Sequence, residues 1–324
     1  MTALVVTGKG KKMGDGRIWI GLDIGGTKTE ALVVDAQMGV LSRVRASTDT
    51  ADPECLLAGS IQLIHRALAQ ANGAVSQVGG IGIGIPGLVE RETGVVRLAV
   101  NLNLTAYPLG AALTAALGIP CAVENDARIA TMGVYRWLNE QQPVRHVAYV
   151  SIGTGIAAGV VLDGRLYRGA HGMAGEIGHV MVEADGQLCS CGARGCLETI
   201  VAGPAIARQY AEAAGLRAPV TAETVFQAYQ ADDAVAQQVM RRVSQALSRA
   251  LQWLIMTYDV EKVVLGGGVT AAGAAFLDPV LAELAQMRAQ SALAQEMLAA
   301  HKFVVLPTDF NAGTWGAVAL AQQG

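Results

Sequence analysis

Between Glu176 and Glu198 the chain reads EIGHVMVEADGQLCSCGARGCLE, a window that gathers three of its five cysteines and one of its five histidines. His179, Cys189, Cys191 and Cys196 follow the pattern H-x9-C-x-C-x4-C. Soft and borderline donors at this spacing suit a closed, tetrahedral zinc site. Gly186, Gly192 and Gly195 sit among them, where a small metal knuckle needs tight turns. Disulfides are the alternative use of close cysteines, but nothing in the chain suggests secretion, and a reducing compartment favours metal or catalysis. Unliganded buried thiols would ask for an apolar window, and this one is polar and glycine-rich. Glu176 and Glu198 exceed what a four-ligand zinc requires. They suggest that the metal shapes a loop whose carboxylates face a substrate.

Four other short elements could meet an anion or move a proton. In DIGGTKTE, Gly25 and Gly26 let backbone approach an anion while Thr27 and Lys28 offer donors, although a plain hairpin turn would read the same. Gly153-Thr154-Gly155 could be a second phosphate clamp. Gly266, Gly267 and Gly268, between a strand and a helix, would let backbone pass close to a flat or anionic ligand. Glu124-Asn125-Asp126 places a carboxylate just before a helix, where Asn and Asp also serve as caps. Gly82, Gly84 and Gly87 match the dinucleotide pattern GxGxxG but lack its context. That motif needs an immediate helix and an acidic residue about 20 positions on. Here a turn follows, and no Asp or Glu lies between Thr93 and Val123. NAD binding is excluded.

The elements that must carry these residues are legible in outline. Strands are expected over Arg17–Ile24, Thr29–Val34 and Val40–Ala46, a helix over Pro53–Ala71, a strand over Val78–Leu88 and another over Val95–Leu98. The order β-β-β-α-β-β opposes a plain alternating domain and favours a mixed sheet. A helix follows Asp126. Val147–Ile152, Ile156–Leu162 and Arg165–Tyr167 then form a second glycine-led hairpin. Beyond the cysteine loop, helices are expected over about Pro204–Leu216 and Ala234–Met256. A strand at Val263–Leu265 and a final strand and helix from Phe303 complete the chain. Two glycine hairpins in successive halves suggest duplicated lobes around a cleft, divided near Val123–Asp126. The division expected is a leader over residues 1–16, a small lobe over 17–123 joined by a returning helix over 312–324, and a large lobe over 124–311.

Composition narrows the class. A chain of 324 residues that is 52% hydrophobic and 16% charged can bury a sizeable core over about two domains. A net charge of −3 leaves no footprint for nucleic acid or an anionic membrane surface. The uncharged stretch Leu98–Val123 is long enough to span a bilayer, but Asn101, Asn103, Pro108, Gly110, Gly118 and Pro120 break it into a loop, a short helix and a strand. Without a signal peptide, a cytoplasmic location is expected. Cys55 and Cys121 lie in apolar segments and read as core residues.

Taken in order, DIGGTK, GIPG at Gly84–Gly87, END, GTG, EIGH, CSCGARGCLE and GGG resemble the ROK group of bacterial sugar kinases and sugar-responsive repressors. That group lies within the actin-like ATPase superfamily, and the resemblance runs from Ile18 to the terminus. It implies an α/β, two-lobed, ribonuclease H-like fold with a zinc-bound loop. It also implies roles for residues. Asp23, Gly25, Gly26, Thr27 and Lys28, with Gly153, Thr154 and Gly155, would hold the ATP phosphates and Mg²⁺ from opposite lobes. Gly266–Gly268 would lie against adenosine, and Asp126 would be the base that takes a proton from a sugar hydroxyl. Asn101, Asn125, Asp126, Glu176, His179 and Glu198 match sugar-contacting positions, with His179 doubling as a ligand of a structural Zn²⁺.

The activity so implied is ATP-dependent phosphorylation of a hexose, with glucose first and fructose, mannose, N-acetylglucosamine or N-acetylmannosamine as alternatives. Many glucokinase-like members have tryptophan three residues after the Asn101 position, and this chain has Leu104. A sugar-sensing regulator of the same group would need a winged helix-turn-helix ahead of DIGGTK, for which about 16 residues are too few. The partners expected are sugar and ATP, with no nucleic acid or membrane, in a homodimer or higher homo-oligomer.

Overall fold

The computed structural model describes residues 16–323, so the expected leader lies outside the described residues except at Gly16. The chain divides into two compact units. One comprises the chain through Glu124 and again from Ala317; the other is Asn125–Gly316.

The first unit is built on β1 (Ile18–Ile24), β2 (Lys28–Asp35), β3 (Val40–Ser47), β4 (Val78–Ile85) and β8 (Cys121–Asn125), in the order β3-β2-β1-β4-β8. β5 (Leu88–Glu90), β6 (Val95–Ala99) and β7 (Leu104–Tyr107) form a separate antiparallel sheet. Helix α1 (Pro53–Gln70) starts at an Asp52 cap whose carboxylate accepts the Cys55 N–H at 2.7 Å. Its Leu56, Leu63, Ile64, Ala67 and Leu68 join β1, β2 and β4 in one core. Helix α2 (Leu109–Leu117) ends at Gly118 in the left-handed region.

The second unit holds α3 (Asp126–Asn139), β9 (Val147–Ile152), β10 (Ile156–Leu162), β11 (Arg165–Tyr167), β12 (Lys262–Gly266) and β13 (Phe303–Val305). Its helices are α4 (Glu198–Val201), α5 (Gly203–Ala213), α6 (Ala222–Gln230), α7 (Ala234–Tyr258), α8 (Ala274–Ala289) and α9 (Ala292–Met297). α10 (Ala312–Ala321) carries the chain back into the first unit. The sheet order is β11-β10-β9-β12-β13. In both five-stranded sheets the hairpin and its third strand pair antiparallel, and the first strand also pairs parallel with a later one. The repeated hairpin therefore reflects a repeated topology, one copy in each unit.

Glycine sets close approaches within each unit. On β4, Gly82 faces the backbone of Ala317 with no room for a Cβ, which accounts for a glycine that dinucleotide binding does not need. Gly133 of α3 and Gly316 of α10 similarly meet the backbones of Ala312 and Ile129.

Several expectations need correction. Val78–Leu88 is not one strand: Pro86 and Gly87 (φ +104°) turn the chain between β4 and β5. β7 adds a strand inside Leu98–Val123, and α4, α6 and α9 add helices where none is expected; the helix expected after Gly266–Gly268 is α8, which starts only at Ala274, beyond a short 3₁₀ turn. α5 stops at Ala213 because Gly215 turns left-handed (φ +67°). Cys55 and Cys121 are half-buried rather than core residues. Leu104, by contrast, is only 1% exposed and belongs to the core of the first unit. Among the described residues no helix is long and apolar enough to cross a membrane.

Candidate functional site

In the first unit the DIGGTK segment forms the β1–β2 turn. The Gly25 N–H donates to the Lys28 carbonyl at 2.9 Å, and Gly26, Thr27 and Lys28 are exposed at the tip. Thr48 braces the turn from β3's end: its hydroxyl donates to the Gly25 carbonyl at 2.7 Å and its N–H to the Thr27 carbonyl at 3.1 Å. Asp23 is half-buried at the end of β1. The Cβ of Asn101 lies 3.8 Å from where a Cβ on Gly26 would stand, so the turn and the Asn101 loop adjoin. Thr48 belongs to no motif, and no sequence signal marks it.

The second unit brings most of the other candidates together. Asp126 is the first residue of α3, not the residue before it, and Asn125 is the cap. The Asn125 Oδ1 accepts the N–H groups of Ala127 at 3.1 Å and Arg128 at 3.3 Å. Its Nδ2 donates to Asp126 Oδ1 at 3.0 Å, and the Ala127 N–H donates to the same oxygen at 2.8 Å. Burial nevertheless raises the Asp126 carboxyl above the usual aspartate value. The negative charge of Glu176 adds to the rise, while the Ala127 N–H and the Arg128 charge oppose it.

Glu176 caps a short 3₁₀ turn, Ile177–His179, and is exposed. Two glycines seat this turn on β10. Gly175 (φ +100°) abuts the Ala158 carbonyl and Gly178 abuts the Ile156 carbonyl, each too closely for a side chain.

The Gly153–Gly155 turn joins β9 to β10, with Thr154 exposed and the Gly153 N–H donating to the Gly155 carbonyl at 2.9 Å. β12 runs parallel to β9 and pairs Gly266 with Ser151. The Gly153–Gly155 and Gly266–Gly268 turns therefore leave adjacent strands at the same end, where ligands of parallel sheets gather. Gly267 (φ +92°) passes against Ile152 backbone with no space for a Cβ.

His179, Cys189, Cys191 and Cys196 converge, with their donor atoms all within 4.8 Å of one another. Cys191 and Cys196 sulfurs are 3.6 Å apart, and the Cys189 sulfur is 3.7 Å from His179 Nδ1. A tetrahedral zinc with bonds of about 2.3 Å to sulfur and about 2.0 Å to nitrogen separates its ligand atoms by roughly 3.5–3.8 Å. The donor set and its spacing fit that ion. Gly192 (φ +90°) and Gly195 (φ +73°) make the turns, and bridges Met181–Cys196 and Leu188–Arg194 close the loop. Arg242 of α7 holds the loop's base through Glu183, with contacts of 2.9 and 2.5 Å. Glu198 opens α4 two residues after Cys196. Its Oε2 accepts the Ile156 N–H at 3.2 Å, a contact with no sequence signal.

Comparison with known proteins gives a consistent picture. A glucokinase of Halalkalibacterium halodurans is 32% identical over 82% of this chain and 84% of its own. An N-acetylmannosamine kinase of Yersinia pseudotuberculosis is 33% identical over 81% of this chain and 87% of its own. Among solved structures, a ROK family glucokinase from Streptomyces griseus, in complex with glucose and AMPPNP, superposes with a TM-score of 0.74. It is 29% identical over 95% of this chain and all of that one. With the ROK family model matching residues 19–324, the chain belongs to the ROK family.

Proposed function

We propose that the protein is an ATP-dependent sugar kinase and that its principal acceptor is glucose, giving glucose 6-phosphate. The observation that carries this reading is Asp126. A carboxylate at the start of α3, aligned by Asn125, raised in proton affinity by burial and within the field of Glu176, suits a base that takes a hydroxyl proton. Glucokinase relatives at about one-third identity support glucose as the acceptor.

In this reading Asn101, Asn125, Glu176, His179 and Glu198 hydrogen-bond the sugar and hold one hydroxyl in line for attack on the γ-phosphoryl group. Such positioning is most of what phosphoryl transfer asks of a protein. Asp23, Gly25–Lys28 and Gly153–Gly155 would bind the phosphates through backbone N–H groups, the Thr hydroxyls and the Lys28 ammonium. Asp23 would also face Mg²⁺, which neutralises phosphate charge when bound. Gly266–Gly268 would leave space for adenosine. The Cys₃His cluster would carry a structural zinc that fixes the loop bearing Glu176 and Glu198.

N-acetylmannosamine is the second acceptor to weigh, because a relative of similar identity carries that activity in its name. A coupled ADP-release screen with ATP, Mg²⁺ and glucose, fructose, mannose, N-acetylglucosamine and N-acetylmannosamine tests both. Highest kcat/KM on glucose is expected; a clear preference for another sugar replaces the acceptor, and inertness toward all of them removes the kinase reading.

A further inference from the structure

We propose that Glu198 is a positioning residue for the Gly153–Gly155 turn, so that the Cys₃His loop braces nucleotide binding as well as the sugar side. This rests on the kinase reading above. Glu198 Oε2 accepts the N–H of Ile156, the first residue beyond the turn, at 3.2 Å. Its other oxygen lies 3.9 Å from the Cys189 sulfur. A Cβ on Gly155 would stand 2.6 Å from Oε2, so the turn closes directly onto this carboxylate. The other arm is tied as well: the Gly203 N–H donates to the Gly153 carbonyl at 2.8 Å.

Both anchors come from the short segment that follows Cys196. Glu198 opens α4 and Gly203 opens α5. Thr199, Ile200 and Val201 between them are buried, and the Thr199 hydroxyl donates to the Cys196 carbonyl at 2.7 Å. A glycine-rich turn loses much backbone freedom when it is fixed around an anion. Anchoring both arms beforehand removes part of that loss and strengthens phosphate binding. A carboxylate serving only a sugar hydroxyl would have no need of the Ile156 N–H.

The test is titration of the full-length, zinc-loaded protein with Mg²⁺·ADP in the absence of sugar, followed by calorimetry. Bound zinc is measured on each sample and glucose is titrated separately. E198A is expected to weaken ADP binding about tenfold, the scale of one charge-assisted hydrogen bond. E198Q keeps an acceptor for Ile156 and should stay within about threefold of wild type. G155A, which crowds the carboxylate, should weaken ADP binding in the wild-type background and add no further loss to E198A. If E198A fails to fold, E198Q and G155A still carry the comparison. ADP affinity unchanged in E198A or G155A with zinc retained, or E198Q weakened as much as E198A, overturns the assignment. Wild-type protein that binds no ADP overturns instead the kinase reading on which it rests.

Discussion

The side-chain amide of Asn125 does two things at once: its oxygen caps α3 and its nitrogen holds the Asp126 carboxylate at 3.0 Å. Helix stability and the aim of the proposed base are therefore coupled at one residue. N125A should cost about 1 kcal/mol in chemical denaturation, the usual worth of such a cap. It should also lower kcat by roughly ten- to a hundredfold through a misplaced Asp126. A loss of stability with kcat unchanged would separate the two roles.

Asp126 also predicts a pH dependence. Its folded-state pKa lies above the ordinary aspartate value, chiefly through burial, with Glu176 contributing. Activity requires the ionised form, so kcat/KM should fall on acidification through a pKa above the ordinary aspartate value. For stability the sign is opposite. A carboxyl whose folded pKa is raised contributes most in the protonated state, and that contribution is lost as pH rises through the folded value. Wild type should therefore lose stability relative to D126N over that rise. E176Q should move the acidic limb of the activity profile to lower pH, and an unmoved limb would remove Glu176 as a cause.

For the cysteine loop, mass spectrometry and elemental analysis should find one zinc per chain, released in parallel with thiol modification of Cys189, Cys191 and Cys196. Chelation is expected to lower the unfolding midpoint and weaken glucose binding, because the four converging donors draw together the loop that carries Glu176 and Glu198. Full glucose affinity in zinc-free protein would refute this coupling.

Gly133 separates local propensity from packing. Replacing a mid-helix glycine with alanine ordinarily stabilises a helix by about 1 kcal/mol. Here the added Cβ would strike the Ala312 backbone, which cannot yield without shifting α10. G133A should be destabilising, by more than about 1 kcal/mol once overpacking is included. A rise in the unfolding midpoint would contradict the close α3–α10 approach.

What was legible in the sequence divides along physical lines. The Cys₃His donors are legible because metal coordination needs particular atoms at short spacing, and His179 through Cys196 are local. The glycine turns were visible for the same reason, and β1–β3 and β9–β11 followed from the alternation beside them. Hidden elements were those whose pattern competes with another signal. α6 spans only nine residues, and β7 lies within an uncharged run that reads as loop and helix. Contacts set by tertiary packing left no trace. Neither Thr48 behind the Gly25 turn nor the Glu198–Ile156 bond could be read from spacing, since their partners are 23 and 42 residues away. The Glu124–Asp126 motif offers both Asn125 and Asp126 as caps, and only backbone geometry makes Asn125 the cap and Asp126 the first helical residue.

The most direct measurement is sugar-dependent ADP release by wild type and D126A side by side, with ATP, Mg²⁺ and glucose, and with glucose binding measured on both. Wild type is expected to turn over at about 1–100 s⁻¹. D126A is expected to lose roughly 10²–10⁴-fold in turnover, with the fold and most of the glucose affinity retained. Near-normal turnover by D126A would contradict the assignment of the base.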